Sequence, residues 1–168
     1  MSLETVIRQV AKHLAHQKVQ AMAQGYCAYR SDNESGPINM CAVGCLLKEE
    51  DFGPHLRMKD ASEIFDARRN VDHILSVVAP EDRSLAEIEQ LTKLDAVATN
   101  LSALLPEFSR RNAKRVFESI QCFHDNDVAN GEGFLHIVSL HKGTDLELED
   151  KLYAQMMARI DKLELPRL

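Results

Sequence analysis

Tryptophan is absent from this chain, and aromatic residues make up only 5% of it. A platform for stacking bases needs exposed rings, so single-stranded nucleic acid is a poor partner. Positive charge is not in excess either: 20 Lys and Arg stand against 26 Asp and Glu, a net of −6. Binding to a phosphate backbone needs a basic face that releases counterions, and this balance argues against nucleic acid in general. No run approaches the ~20 apolar residues of a membrane-spanning helix, and the N-terminus has no signal-peptide core. A glycine-rich phosphate loop, internal repeats and interdomain linkers are missing as well. Four cysteines without a secretory signal read as reduced thiols of a cytoplasmic protein, not as a disulfide framework.

What is present suits a globular chain: 168 residues, 45% hydrophobic and 27% charged, enough for one domain over 1–168 with one core. Leu3, Ile7, Val10 and Leu14, followed by Val19 and Met22, predict an amphipathic helix over 3–24 that Gly25 stops. A turn-rich loop between Tyr26–Arg30 and Ile38–Met40 predicts a small β-hairpin, and helical character returns from Cys41. Further helices are expected over 61–79, then from a Ser84 cap with Glu87 to about Leu105, then from a Ser109 cap through Val116, Phe117, Ile120 and Phe123. The segment 126–133 breaks the last of these, 134–141 fits a strand or a short helix, and 145–163 closes the chain as a charged helix. The predicted class is mainly α (α+β): a single compact helical domain with one small β-hairpin near residues 26–41.

Chemistry concentrates in "GYCAYRSDNESGPINMCAVGCLL", residues 25–47, which hold three of the four cysteines. With strands 26–30 and 38–41 paired around a loop of 31–37, Arg30 faces Ile38 and Cys27 faces Cys41. Directly opposed residues have Cβ atoms ~5 Å apart. Cys45 follows Cys41 by one helical turn, so three thiols converge in this register. Three chemistries compete for them. Cysteine is among the most buried residue types, and the thiols can be core packing. Zinc is the second: Cys41-x3-Cys45 has ligand spacing, Cys27 adds a third ligand and His124 a fourth. The third is catalysis, with Cys41 at a helix N-terminus as nucleophile and backbone N–H groups beside it as an oxyanion hole.

The base for such a reaction is His124, in "SIQCFHDND". Phe117, Ile120 and His124 follow i, i+3, i+7, so the imidazole lies on or beside the apolar stripe. Asp125, about 100° away around the same helix, is expected to bond a backbone N–H or a basic residue such as Arg30 rather than its own neighbour. An HD-type metal phosphohydrolase centre would need further ligands, for which His73 and Asp145 are the available residues.

These segments together resemble a family found in phages and their bacterial hosts, with the pattern C-x-Y-R, a short Gly-containing loop, C-A-V-G-x-L-I, then L-Q-x-x-H-D. The matching positions are Cys27, Tyr29, Arg30, Cys41, Ala42, Val43, Gly44, Leu46, Gln121, His124 and Asp125. The loop is longer in this chain, the segment 57–105 is expanded with helical sequence, and the tail after Asn126 differs. The resemblance carries no activity over to this chain. The resemblance implies that hairpin, Cys41 turn and His-Asp turn pack as one unit.

"RRNAKR", residues 110–115, reads as an exposed helix face balanced by Glu107 and Glu118, with a phosphate patch as the lesser alternative. The favoured expectation is a phage- or prophage-type accessory protein that binds a protein partner or a second copy, with Cys27, Cys41, Cys45 and His124 structural, around zinc or without it. The alternative is a cysteine-dependent hydrolase or transferase with Cys41 as nucleophile, His124 as base, and Arg30 or Asp125 orienting.

Overall fold

A computed structural model of the chain describes residues 1–20, 22–23, 26–27, 29–31, 39–57, 59–125 and 133–168. Among them lie six α-helices: α1 (Leu3–Gln17), α2 (Ala61–Val77), α3 (Leu85–Leu104), α4 (Arg110–Asp125), α5 (Phe134–Leu140) and α6 (Asp145–Asp161). Four two-residue strands, β1 (Met22–Ala23), β2 (Tyr26–Cys27), β3 (Arg30–Ser31) and β4 (Asn39–Met40), form two antiparallel ladders, β1–β2 and β3–β4. The protein is mainly helical, as the periodicities require. No described helix is long and apolar enough to cross a membrane.

Helix starts follow local chemistry. Ser2, Asp60, Ser84 and Thr144 each accept a backbone N–H of the first turn they cap, and Asp60–Glu63 and Thr144–Glu147 close full capping boxes. Ser109 Oγ accepts the Asn112 N–H at 3.3 Å, as its position before α4 predicts. The apolar faces of α1, α2, α3, α4 and α6 then meet in one cluster that includes Val10, Ile64, Leu101, Phe117 and Leu152. Residues 134–141, open between two readings, form the short helix α5. The predicted break at 126–133 lies almost wholly outside the described residues.

Helix α1 ends at Gln17 rather than at residue 24. Lys18 turns into the left-handed region (φ 57°), with its N–H on Leu14 O. That conformation costs a non-glycine residue roughly 1–2 kcal/mol. The Gln17 amide offsets it by donating to Val19 O at 2.6 Å and accepting the Met40 N–H at 2.8 Å. The Met40 contact is long-range, so the helical stripe alone gives no sign of the stop.

The hairpin register is also different. Arg30 pairs with Met40 and Ser31 with Asn39, two residues away from the Arg30–Ile38 pairing, while Cys27 pairs with Met22 and does not face Cys41. The cause lies in α1. It takes both backbone groups of Met40, the N–H through Gln17 and the carbonyl through His13 Nε2 at 3.1 Å. Met40 therefore sits at a pair not hydrogen-bonded to Arg30, and the ladder bond passes to Cys41 N–H on Tyr29 O at 3.3 Å.

Helices α1 and α6 pack antiparallel. Arg8 lies 3.8 Å over the Tyr153 ring and bonds Asp150 at 2.6 Å, while Lys18 bonds Asp145 at 2.5 Å. The Lys18 ammonium holds the Asp145 carboxyl below its ordinary range, and the Thr144 N–H and hydroxyl do the same for Glu147. A depressed folded-state pKa contributes stability above the unfolded value and loses it as pH falls through the folded one. Urea midpoints are therefore expected to stay flat from neutral pH to about 5 and to fall below about 4, with a shallower fall in Asp145→Asn. Both carboxylates face solvent, so the difference between variant and parent is small and shrinks further in high salt.

Candidate functional site

Cys41 follows β4 directly and has no exposed surface. The chain turns at Ala42 and Val43, both fully buried, and enters a 3₁₀ turn over Gly44–Leu46. The expected α-helix start at Cys41 is thus a single tight turn, closed by Cys45 N–H on Cys41 O at 3.1 Å. Three 3₁₀ residues offer no macrodipole of the size that activates a thiol at a long helix. The Gly44 N–H that would serve an oxyanion points instead at Cys41 Sγ, 3.2 Å away.

Cys45, half-buried, donates its S–H to Ala42 O at 3.3 Å. Desolvation, helped by the adjacent Cys41, pushes its thiol well above the ordinary cysteine value. Both described thiols of the cluster are thus turned to neighbouring backbone. Among the described residues no three His, Cys, Asp or Glu side chains converge as ligands for a metal ion. The side chain of Cys27 lies outside the described residues.

Arg30 is held at the surface, where its Nη1 lies 2.7 and 2.9 Å from the two carboxylate oxygens of Glu49 and its guanidinium sits 5.4 Å from the centre of the Phe52 ring.

His124 stands at the last turn of α4 with no exposed surface. Its ring stacks on Phe134 of α5, centroids 5.3 Å apart. Nδ1 lies 2.6 Å from Oδ1 of Asp125, the adjacent residue that helical projection set aside as an orienting group. The ideal 100° separation is overcome at the helix end, where a short carboxylate and a ring can lean toward one another. Nε2 is buried with no hydrogen-bond partner among the described residues. No hydrogen bond or ring contact joins Cys41 to His124 among the described residues.

The two regions are linked through the segment after α1. Gln17 holds Met40 next to Cys41, and Gln20, three residues on, donates to the carbonyls of His124 at 2.5 Å and Asp125 at 3.1 Å. Sequence reading missed Gln17 and Gln20, because neither carries a recognisable motif. It also left Gln121 without a role. Gln121 is buried, and its Oε1 accepts the Ala61 N–H at 2.6 Å, tying the start of α2 to α4.

Asp125 also lines an open cleft of about 310 Å³ with Asp60, Ala61, Ser62, Glu118, Gln121 and Cys122. Cys122 is exposed there. Of the residues proposed for an HD-type centre, His73 lies exposed on α2 and Asp145 is paired with Lys18, so neither is grouped with His124. Comparisons with protein-family models, curated proteins and solved structures give no match to this chain.

Proposed function

We propose that this chain is a protein-binding accessory protein of phage or prophage type, in which Cys41, Cys45 and His124 serve packing rather than chemistry. The observation that carries this reading is the state of Cys41: no exposed surface, with its sulfur accepting the Gly44 N–H. A nucleophile must reach its substrate as a thiolate near a base, and a buried thiol bonded to its own turn meets neither need. The amphipathic helices supply the alternative function, surface for a partner.

One observation favours the cysteine-hydrolase reading. Asp125 holds His124 by the ring nitrogen that an orienting carboxylate takes in a nucleophile–base–carboxylate arrangement. Thiol labelling separates the two. Native protein treated with iodoacetamide near neutral pH is expected to alkylate at Cys122 first, with Cys41 protected until unfolding. Faster labelling at Cys41, slowed by His124→Ala, would establish the enzyme reading.

A further inference from the structure

Helices α2 and α3 pack on each other more extensively than either does on the rest of the protein. Helix α4 runs antiparallel to α2 along its first half only: Gln121 meets Ala61, Phe117 meets Phe65, and Lys114 meets Asp66. Burial of α2 ends at Val71, and burial of α3 begins at Leu94. Half-buried Leu91 is the last α3 residue toward the tip that packs on the core, so residues 72–90 project as a two-helix arm with no core packing beneath them. Its side chains are not those of a solvated spacer. Leu75, Val77 and Leu85 are 45%, 62% and 80% exposed, and half-buried Ile88 follows Leu85 by three residues. An isolated helix pair leaves such side chains in water.

Charge is divided along the arm. The tip carries Glu81, Asp82 and Glu87, while Arg83 is turned inward onto the carbonyls of Val78 and Leu75. At the root, Arg110 pairs with Asp95 and Lys114 with Asp66, but Arg111 and Arg115 are exposed with no ion pair among the described residues. An acidic arm tip and a basic pair on α4 beside the arm's root are complementary to the same surface reversed. We infer that the arm is a self-association surface: two copies lay their arms side by side, antiparallel, into a four-helix bundle, with each tip against the Arg111–Arg115 root of the other. Charge decides between this and a tip-to-tip contact, which would set Glu81, Asp82 and Glu87 of one copy against the same acidic residues of the other. The relation is isologous, as a two-fold dimer requires.

This inference rests on reading the chain as a binding protein and names its partner. Sedimentation velocity on the full chain is expected to give a dimer at tens of micromolar, weakened by salt. Val77→Asp with Leu85→Asp, at exposed positions that leave the helical circular dichroism unchanged, is expected to give a monomer. Arg111→Glu with Arg115→Glu is expected to weaken the dimer at least about tenfold, and adding Glu81→Lys with Glu87→Lys to restore it. A parent protein that stays monomeric at about 100 µM, or a dimer indifferent to the arm substitutions, overturns the inference. The two readings fail separately. A monomer with protected Cys41 ends the dimer alone, and a dimer with fast-labelling Cys41 ends the packing role of the thiol alone.

Discussion

Gly44→Ala is expected to destabilise the protein by about 3 kcal/mol or more, the upper end of what overpacking costs. A Cβ at position 44 would stand 1.9 Å from the carbonyl oxygen of Tyr29 and 2.8 Å from its carbonyl carbon. Those atoms are backbone, and the oxygen already accepts the Cys41 N–H. Relief would require β3 to separate from the Cys41 turn, exposing Ala42 and Val43, which are fully buried. For a chain of this length the loss corresponds to a fall in Tm of about 6–12 °C. Gly143→Ala is the control. Its Cβ would meet Glu147 Oε2 at 2.1 Å, a nominal clash of the same kind. The obstacle there is the end of a flexible side chain, so the cost is limited to the capping interaction, about 1 kcal/mol. Equal thermal shifts for the two variants would mean that Tyr29 and Gly44 do not abut.

Phe117→Ala is expected to cost about 3–5 kcal/mol, a large share of the 5–15 kcal/mol that holds a typical domain folded. The ring has no exposed surface and stacks on Phe65 at 5.8 Å. The cavity left behind cannot close easily. Gln121 bonded to Ala61 N–H at 2.6 Å and Lys114 bonded to Asp66 at 2.9 Å pin α4 to α2 on either side of it. Phe117→Leu, which keeps most of the volume, is expected to cost roughly 1 kcal/mol. Urea denaturation measures both. The alanine variant also loosens the base from which the arm projects, so amide exchange is expected to accelerate first in α2. A loss below about 1 kcal/mol for Phe117→Ala would show that this face is not sealed core.

The contrast between Gly44 and Lys18 shows how far local sequence reaches. Gly44 is conspicuous beside two cysteines, yet its reason is the Tyr29 carbonyl, fifteen positions away and on another element. Lys18 looks like any helical residue, and a glutamine next to it, bonded to Met40, ends the helix there. Spacing placed Cys41 and Cys45 one turn apart correctly, but could not tell an α-helix from a single 3₁₀ turn. The hairpin register differs for a related reason: counting outward from the loop pairs Arg30 with Ile38, whereas α1 holds the strand at Met40. For the candidate site, the sequence led to His124 and Asp125 as separate residues, and their bond became visible only with the helix end in place.

The segment 57–105 illustrates the remaining division. Its capping residues and apolar periodicity were sufficient to define two helices, and their ends lie close to where those signals put them. Nothing in them indicates that α4 covers one half and leaves the other bare, since Leu85 and Leu94 are the same residue type on one helix, 80% and 2% exposed.

By itself the sequence determined the helices, their caps and the acidic, mainly α character of this protein, because these depend on residues within a few positions of each other. The tertiary structure alone decided where α1 stops, which strand residues face one another, that the Cys41 thiol is turned inward, and that an arm stands clear of the body. Each of these depends on how elements far apart in the chain pack together, which no stretch of a few residues specifies.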